Sequence, residues 1–282
     1  MTNKRLFLVA GYERDAIIDA SLVHYVRELA ALGDVVVYMD CDCDAENLKK
    51  LKPFVVHADA ARHGEYDFGS YKRAYIYARE ARMLPAYDVV YMVNDSVYGP
   101  LFDLRGAIEK MESQNWDAFG LVCNPHREHP HIQSWFIGCR RDVFMTPWYD
   151  EFMTAITKLP DKGMITRQYE QGFTKMVASH GLKWGCLYTM PGRSVYNRVK
   201  YLFRRHMPFM KKVAFPRRHG ALGRQVSYVL NHISPDVRDA ILQNARRVWG
   251  DEYIHWLLTK NPIKIIYRNI RHSVHKVFVE GI

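Results

Sequence analysis

The sequence predicts an α/β protein: a mixed sheet flanked by helices, followed by a basic α-helical C-terminal appendage. Three observations carry this. Short apolar runs alternate with amphipathic stretches of helical period over residues 1–190. The alternation stops after Met190-Pro191-Gly192. The charge divides at the same place: residues 1–190 carry 22 Lys and Arg against 25 Asp and Glu, whereas residues 191–282 carry 18 against 5. The net charge of +10 therefore belongs to the last third, and the expected domains are 1–190 and 191–282.

The elements follow in order. Leu6–Ala10 reads as the first strand. Asp19–Leu32 is an amphipathic helix with Leu22, Val23, Val26 and Leu29 on one stripe, ending at Gly33. Val35–Met39 is a second strand that runs into Asp40-Cys41-Asp42-Cys43-Asp44. A short helix, Glu46–Leu51, is stopped by Pro53, and Phe54–His57 is a third strand. A helix over Ser70–Arg82 leads to the strand Val89–Val93. Leu104–Gln114 is a helix, Ala118–Val122 a strand, and Ile132–Cys139 a strand whose alternation suits a sheet edge. Phe144–Thr157 and Tyr169–Ser179 are helices, and Lys183–Tyr188 is the last strand. Beyond residue 190, Val195–Lys212 reads as two short basic helices broken by Pro208. Val237–Trp249, Tyr253–Leu258 and Ile263–Val279 are also helical.

A hydrophobic content of 48% fits a packed globular chain, and no apolar run reaches the roughly 18 residues needed to span a bilayer. The opening MTNKRLFLVAGYERD reads as a strand, not a signal peptide. Five cysteines without a regular spacing suggest reduced thiols in a cytoplasmic protein, and Cys41-Asp42-Cys43 lacks further ligands for a metal.

Four segments carry the candidate chemistry. The strand Val89–Val93 delivers Asn94-Asp95-Ser96 and then Tyr98-Gly99-Pro100, and the carboxyl ends of such strands are where open α/β sheets bind ligands. Asp95 could hold a divalent cation (Mg or Mn) or hydrogen-bond a ribose or sugar, while an Asx-turn accounts for the same residues. In the second segment, Gly64 and Gly69 flank Asp67, and Ser70 and Lys72 open a helix whose amino end and cations suit a diphosphate. The third runs from His126, Glu128 and His129 to His131-Ile132-Gln133-Ser134-Trp135-Phe136. Zinc lacks a fourth ligand there, but Gln133 and Ser134 can line a polar substrate and His131 or Glu128 accept a proton. In the fourth, Glu170 lies at a helix start, placed either to accept a proton or simply to cap.

These segments, in this order, resemble the rhamnan synthesis protein F family of bacterial cell-wall and O-antigen polysaccharide glycosyltransferases. The matching residues are Tyr66-Asp67-Phe68-Gly69-Ser70 with Lys72, Asn94-Asp95-Ser96 with Tyr98-Gly99-Pro100, and His131-Ile132-Gln133-Ser134 with Phe136. Glu170, Gly172, Phe173 and Thr174 match more loosely. The resemblance spans about residues 5–190. It implies a GT-A-like, Rossmann-like fold and transfer of a deoxysugar, often L-rhamnose from dTDP-L-rhamnose, to a growing lipid-linked glycan.

On both lines together, Ala10, Gly11, Tyr12 and Asp40 would hold the base and ribose, with Gly64, Gly69, Ser70 and Asn94 completing the donor pocket. Asp67, Lys72, Asp95 and Ser96 would handle diphosphate, sugar and any cation. Tyr98, Gln133, Ser134 and Trp135 would face the acceptor. Glu170 would be the base of an inverting transfer, His131 its alternative, and Asp95 the third catalytic residue. The basic tail suits an anionic membrane surface, which places the protein in the cytoplasm and peripherally on the membrane. A solvated basic face of a helical subdomain accounts for the same pattern. Nucleic-acid binding is not expected, because residues 1–190 are acidic in balance and carry no recognisable motif. A non-catalytic scaffold subunit is the other alternative, since Asn94-Asp95-Ser96 holds one carboxylate where a metal motif has two.

Overall fold

A computed structural model describes residues 3–217, 221–259, 261–267 and 270. The chain divides into two compact units. The first comprises Met1–Ile18, Leu22–Ser96 and Asp103–Gly192; the second comprises Asp19–Ser21, Val97–Phe102 and Arg193–Ile282. Two short pieces of the N-terminal part thus join the second unit, where the sequence suggested a single cut at residue 190.

The first unit is built on an eight-stranded mixed sheet. Its strands are β1 (Arg5–Gly11), β2 (Asp34–Met39), β3 (His57–Ala60), β4 (Val89–Asn94), β6 (Ala118–Asn124), β7 (His131–Ile132), β8 (Phe136–Arg140) and β9 (Trp184–Thr189). β3, β2, β1 and β4 run parallel in that order, β8 is antiparallel between β4 and β6, and β9 runs parallel to β6 on its other side. The expected mixed α/β sheet is therefore what the chain forms. β1 and β4 are buried at every position, which explains their unbroken apolar character: strands covered on both faces have no solvent side to mark with polar residues.

The helix Tyr66–Glu80 lies against this sheet. Phe68, Tyr71, Ala74, Tyr75 and Ala78 recur at helical spacing and pack in one core with Leu6, Leu8, Val36 and Val90.

Several element boundaries differ from the sequence reading. Lys52–Phe54 forms a 3-10 turn around Pro53, and the third strand begins at His57, where it pairs with Val36. Pro147, capped by the Thr146 side chain, divides the expected helix 144–157 into Arg141–Phe144 and Pro147–Thr154. The expected edge strand 132–139 is internal and is broken into β7 and β8. Three steps along β6, from Gly120 to Cys123, match five along the partner, from Ile137 to Ile132. The two extra residues form a buried bulge at Gln133–Trp135.

Cys123 and Cys186 are joined in a disulfide between the adjacent strands β6 and β9, with Cα atoms 5.8 Å apart. The expectation of reduced thiols thus fails for Cys123 and Cys186, which lie 63 positions apart in sequence but on neighbouring strands, while Cys41, Cys43 and Cys139 are free.

The second unit has its own core. Strand β5 (Val97–Tyr98) pairs antiparallel with β10 (Met210–Lys211), and around it pack the helices Val199–Arg204, Leu222–Leu230, Pro235–Trp249 and Asp251–Leu257. The expected pair of basic helices over 195–212 is shorter than read: Ser194–Asn197 and Val199–Arg204, followed by β10. Several of its cations lie over tyrosine rings, Lys200 and Arg204 on Tyr228 and Arg198 and Arg205 on Tyr201. The helix expected over 263–279 lies, beyond residue 270, outside the described residues.

The amino end of the sheet is locked by a buried ion pair. Arg5 Nε and a terminal nitrogen each donate to Glu112 at 2.7 Å, and Tyr91 OH donates to the same carboxylate at 2.8 Å. Both charged side chains are almost fully enclosed. Removing one partner leaves an uncompensated buried charge. Glu112→Gln is therefore expected to lose about 3–5 kcal/mol of unfolding free energy, read as a drop in the urea midpoint.

Candidate functional site

The site assembles where β1, β2 and β4 end. Asp40 N donates to Gly11 O at 2.8 Å and Asp95 N donates to Ala10 O at 3.1 Å, so the end of β1 carries an aspartate on either side. In the order β3-β2-β1-β4 the progression across the sheet reverses between β1 and β4, and such a switch point opens a crevice at the carboxyl ends of the strands. Tyr12 follows β1 and is 51% exposed.

Asp40 is buried, and its Oδ1 accepts from the backbone N–H of His63 (2.8 Å) and of Gly64 (2.9 Å). Its role in the structure is to fasten the 61–65 loop over the end of β2. Gly64 has φ +68°, which a residue with a side chain adopts only with strain. Gly69 lies under the same loop, where a Cβ would come 2.3 Å from Glu65 Cβ. His63 is nearly enclosed; Glu65 N–H donates to its Nδ1 at 3.0 Å, so the neutral ring carries its proton on Nε2, 3.0 Å from the buried Ser70 hydroxyl. Burial and the charge of Arg73 push the His63 pKa down, which keeps the ring neutral.

Asn94, Asp95 and Ser96 have distinct parts. Asn94 Oδ1 accepts from Ser96 N and Oγ, an Asx-turn, while Asn94 Nδ2 donates to Asp67 Oδ2 at 2.7 Å. Asn94 shapes the turn and ties it to the helix start; the turn delivers the largely buried Asp95. The Asx-turn read from the sequence is therefore present, with Asp95 buried inside it.

The bulge forms the other wall. Ser134 N donates to Glu170 Oε2 at 2.9 Å, the Ser134 hydroxyl donates to the same oxygen, and Tyr71 OH donates to Ser134 O at 3.0 Å. His131 Nδ1 donates to His129 O at 2.7 Å, leaving Nε2 3.3 Å from Glu170 Oε1. Thr174 Oγ1 accepts from Ile132 N at 3.1 Å, and the helix Gly172–Ser179 thereby holds β7. Burial alone would raise the Glu170 pKa, but the bonds from His131 and Ser134 outweigh it and hold the carboxyl below the usual range. Burial would lower the His131 pKa, but the bonds to Glu170 and His129 O outweigh it and raise the imidazole. Each partner thus favours the charged form of the other, with the carboxylate beside the bulge and the imidazole behind it.

Several expected residues take other parts. Lys72 donates to Ile156 O at 2.7 Å, and Arg73 to Glu65 and Gly69 O. These backbone and carboxylate partners, not a diphosphate, account for the basic pair. Tyr98 is wholly buried in the core of the second unit, where its hydroxyl donates to Asn244 Oδ1, so it is no acceptor-facing residue. Gln133 and Trp135 are buried and bonded to each other, Trp135 Nε1 to Gln133 Oε1 at 2.9 Å. Among residues that sequence reasoning missed, His63 and Tyr71 stand inside the second segment. Their only sequence signal is proximity to its glycines and to Ser70.

The family model for rhamnan synthesis protein F matches residues 36–280. The chain belongs to that family. The match reaches well beyond residue 190, so the second unit is part of the family pattern, although no motif in it suggested as much. No curated protein matches the sequence. Solved structures with a similar but loosely matching fold include a Desulfovibrio desulfuricans G20 protein assigned as a nucleotide-diphospho-sugar transferase, with 14% identity, coverage of 80% of this chain and 96% of that one, and TM-score 0.41. Core-mannan synthase A of Aspergillus fumigatus, in its Mn/GDP form, has 11% identity, coverage of 65% and 73%, and TM-score 0.36. A glycosyltransferase that modifies the major capsid of PBCV-1 has 8% identity, coverage of 80% and 98%, and TM-score 0.39.

The His131–Glu170 pair has a calculable pH signature. A raised histidine pKa contributes stability that is full below the ordinary value of about 6.5 and is lost as pH rises through the native value. A depressed Glu170 pKa contributes stability above the ordinary carboxyl range that is lost as pH falls through the native value. His131→Gln should therefore melt below the wild type by the widest margin between the ordinary carboxyl and imidazole values, with the two curves converging as pH rises through the native histidine value. A margin independent of pH in thermal melts would contradict the ion pair.

Proposed function

We propose that this family member is a glycosyltransferase that moves a sugar, L-rhamnose from dTDP-L-rhamnose in the most specific reading, from a nucleotide diphosphate to a growing lipid-linked polysaccharide such as O-antigen. The observation that carries the proposal is the largely buried Asp95 carboxylate, held at the end of β4 beside β1, where the strand order reverses. The nucleotide would lie across the ends of β1 and β2, with its base against the exposed ring of Tyr12 and its ribose near Asp40.

Asp95 would meet the diphosphate directly or through a Mg or Mn ion. Among the described residues no three or more His, Cys, Asp or Glu side chains group to hold a metal. A cation here would therefore share Asp95 with the diphosphate oxygens, and bound in that way it would offset charge on the leaving group.

The acceptor would enter along the bulge. Glu170 Oε2 already accepts a hydroxyl hydrogen bond from Ser134. An acceptor hydroxyl that replaces Ser134 at this oxygen would lose its proton to Glu170 as its oxygen bonds to the anomeric carbon and the bond from that carbon to the diphosphate oxygen breaks, the nucleoside diphosphate leaving from the opposite face with inversion. Glycosyl transfer passes through an oxocarbenium-like state in which the attacking hydroxyl acidifies late, and a carboxylate of low pKa suffices as its base. His131 orients this carboxylate. The single carboxylate of Asn94-Asp95-Ser96 also supports a second reading, a non-catalytic scaffold of a synthase complex.

Asp95→Asn and Glu170→Gln should each lower sugar transfer by about 10²–10⁴-fold. Glu170→Gln should also lower the melting temperature, whereas Asp95→Asn should chiefly weaken thermal stabilisation by the donor. A thermal-shift panel of dTDP-, UDP- and GDP-sugars with and without Mn²⁺ identifies the donor. Absence of both stabilisation and donor hydrolysis across the panel would favour the scaffold; full activity in both variants would refute the site.

A further inference from the structure

The four most exposed large apolar side chains among the described residues all fall within one stretch of eight. Ile263 is 75% exposed, Ile266 57%, Tyr267 60% and Ile270 58%, while the next in order, Tyr12, is at 51%. Their spacing is i, i+3, i+4 and i+7, one face of a helix. Local structure supports that face. Asn261 Oδ1 accepts from Ile263 N (2.9 Å) and Lys264 N (3.2 Å), Pro262 takes the first helical position, and 262–267 are helical. Ile265, between them in sequence, is buried, so the segment is held from one side and turns its apolar stripe away. Leaving such a stripe in water is unfavourable, and a contiguous patch of this kind marks a contact surface.

We infer that this stripe docks on an anionic phospholipid surface, lying in the interface with its apolar side chains inserted. The charge selects the partner. Residues 260–282 contain Lys260, Lys264, Arg268, Arg271 and Lys276 against a single acid, Glu280. Cations interleaved with Ile and Tyr suit the headgroup layer, where apolar and electrostatic attractions add. A protein–protein contact core is, by contrast, depleted of Lys. Among the described residues no helix is long and apolar enough to cross a membrane, so attachment through this stripe is in the plane of the surface.

The inference does not depend on the donor chemistry and is tested separately from it. The full chain is sedimented with vesicles of phosphatidylcholine alone and with vesicles containing about 30% phosphatidylglycerol. The wild type is expected to pellet with the anionic vesicles only. Ile266→Glu combined with Ile270→Glu should cut the bound fraction about tenfold, and Lys264→Glu should weaken it and flatten its salt dependence. Both side chains of the double variant are mostly exposed, so its circular dichroism and melting temperature should match the wild type. Equal binding by the double variant, or no binding by the wild type, would overturn the inference. So would self-association of the wild type without vesicles, measured by sedimentation velocity, that the double variant abolishes; that result would make the occupant a second copy. Vesicle binding with no response to any nucleotide sugar would count against the donor reading alone.

Discussion

A single carboxylate, Glu170, holds together the part of the molecule on which the candidate site depends. β8 pairs with β4 on one side and β6 on the other, but its continuation β7 follows β6 with the register shifted by two residues. The shift leaves a Ser134 amide and carbonyl inside the protein without ladder partners. A buried polar group left unmade costs about 1–3 kcal/mol, so the bulge persists only because other elements complete it. Glu170 takes the amide and hydroxyl, Tyr71 supplies a donor to the carbonyl, and Thr174 accepts from neighbouring Ile132. Three elements far apart in sequence are thereby bound to one kink, and His131 keeps the carboxylate ionised while it holds them.

That kink faces the ends of the parallel strands, and the two walls have complementary chemistry. One presents Asp40 and Asp95, anchored by their own backbone amides to the last residues of β1. The other presents Ser134 and Glu170. Strand ends supply the positions, and turns and loops supply the orientation. Asn94 spends its side chain on the turn that holds Asp95, and Asp40 spends one oxygen on the 61–65 loop. Most polar groups at the site thus hold the structure, and few remain for a substrate. This economy is why Lys72 and Gln133, well chosen by residue type, serve internal bonds.

The second unit is a domain-like core in its own right, with Tyr98 and Asn244 buried at its centre and Phe215 stacked on Trp249 at 5.2 Å. Its basic residues are not a loose fringe. Lys200 and Arg204 pack on Tyr228, so part of the positive charge is structural. The family match across residues 36–280 is consistent with this: the second unit is an integral part of the pattern.

The sequence by itself determined the α/β class, the strands β1, β2, β4, β6 and β9 to within a residue or two, and the four segments in which the candidate site lies. Those features are local. Unbroken apolar runs, glycines in a turn and an Asp after a buried strand signal themselves through residue type and spacing. Tertiary structure alone decided which of those residues meet. That Glu170 reaches Ser134, that Asp40 clamps Gly64 and that Tyr98 belongs to a different core all follow from strand order and register. Neither is encoded in any short window. The two-residue shift at Ser134 shows why: residues 132–139 read as one strand because their side chains suit one, and the break exists only because β4 and β6 cannot both be matched through it.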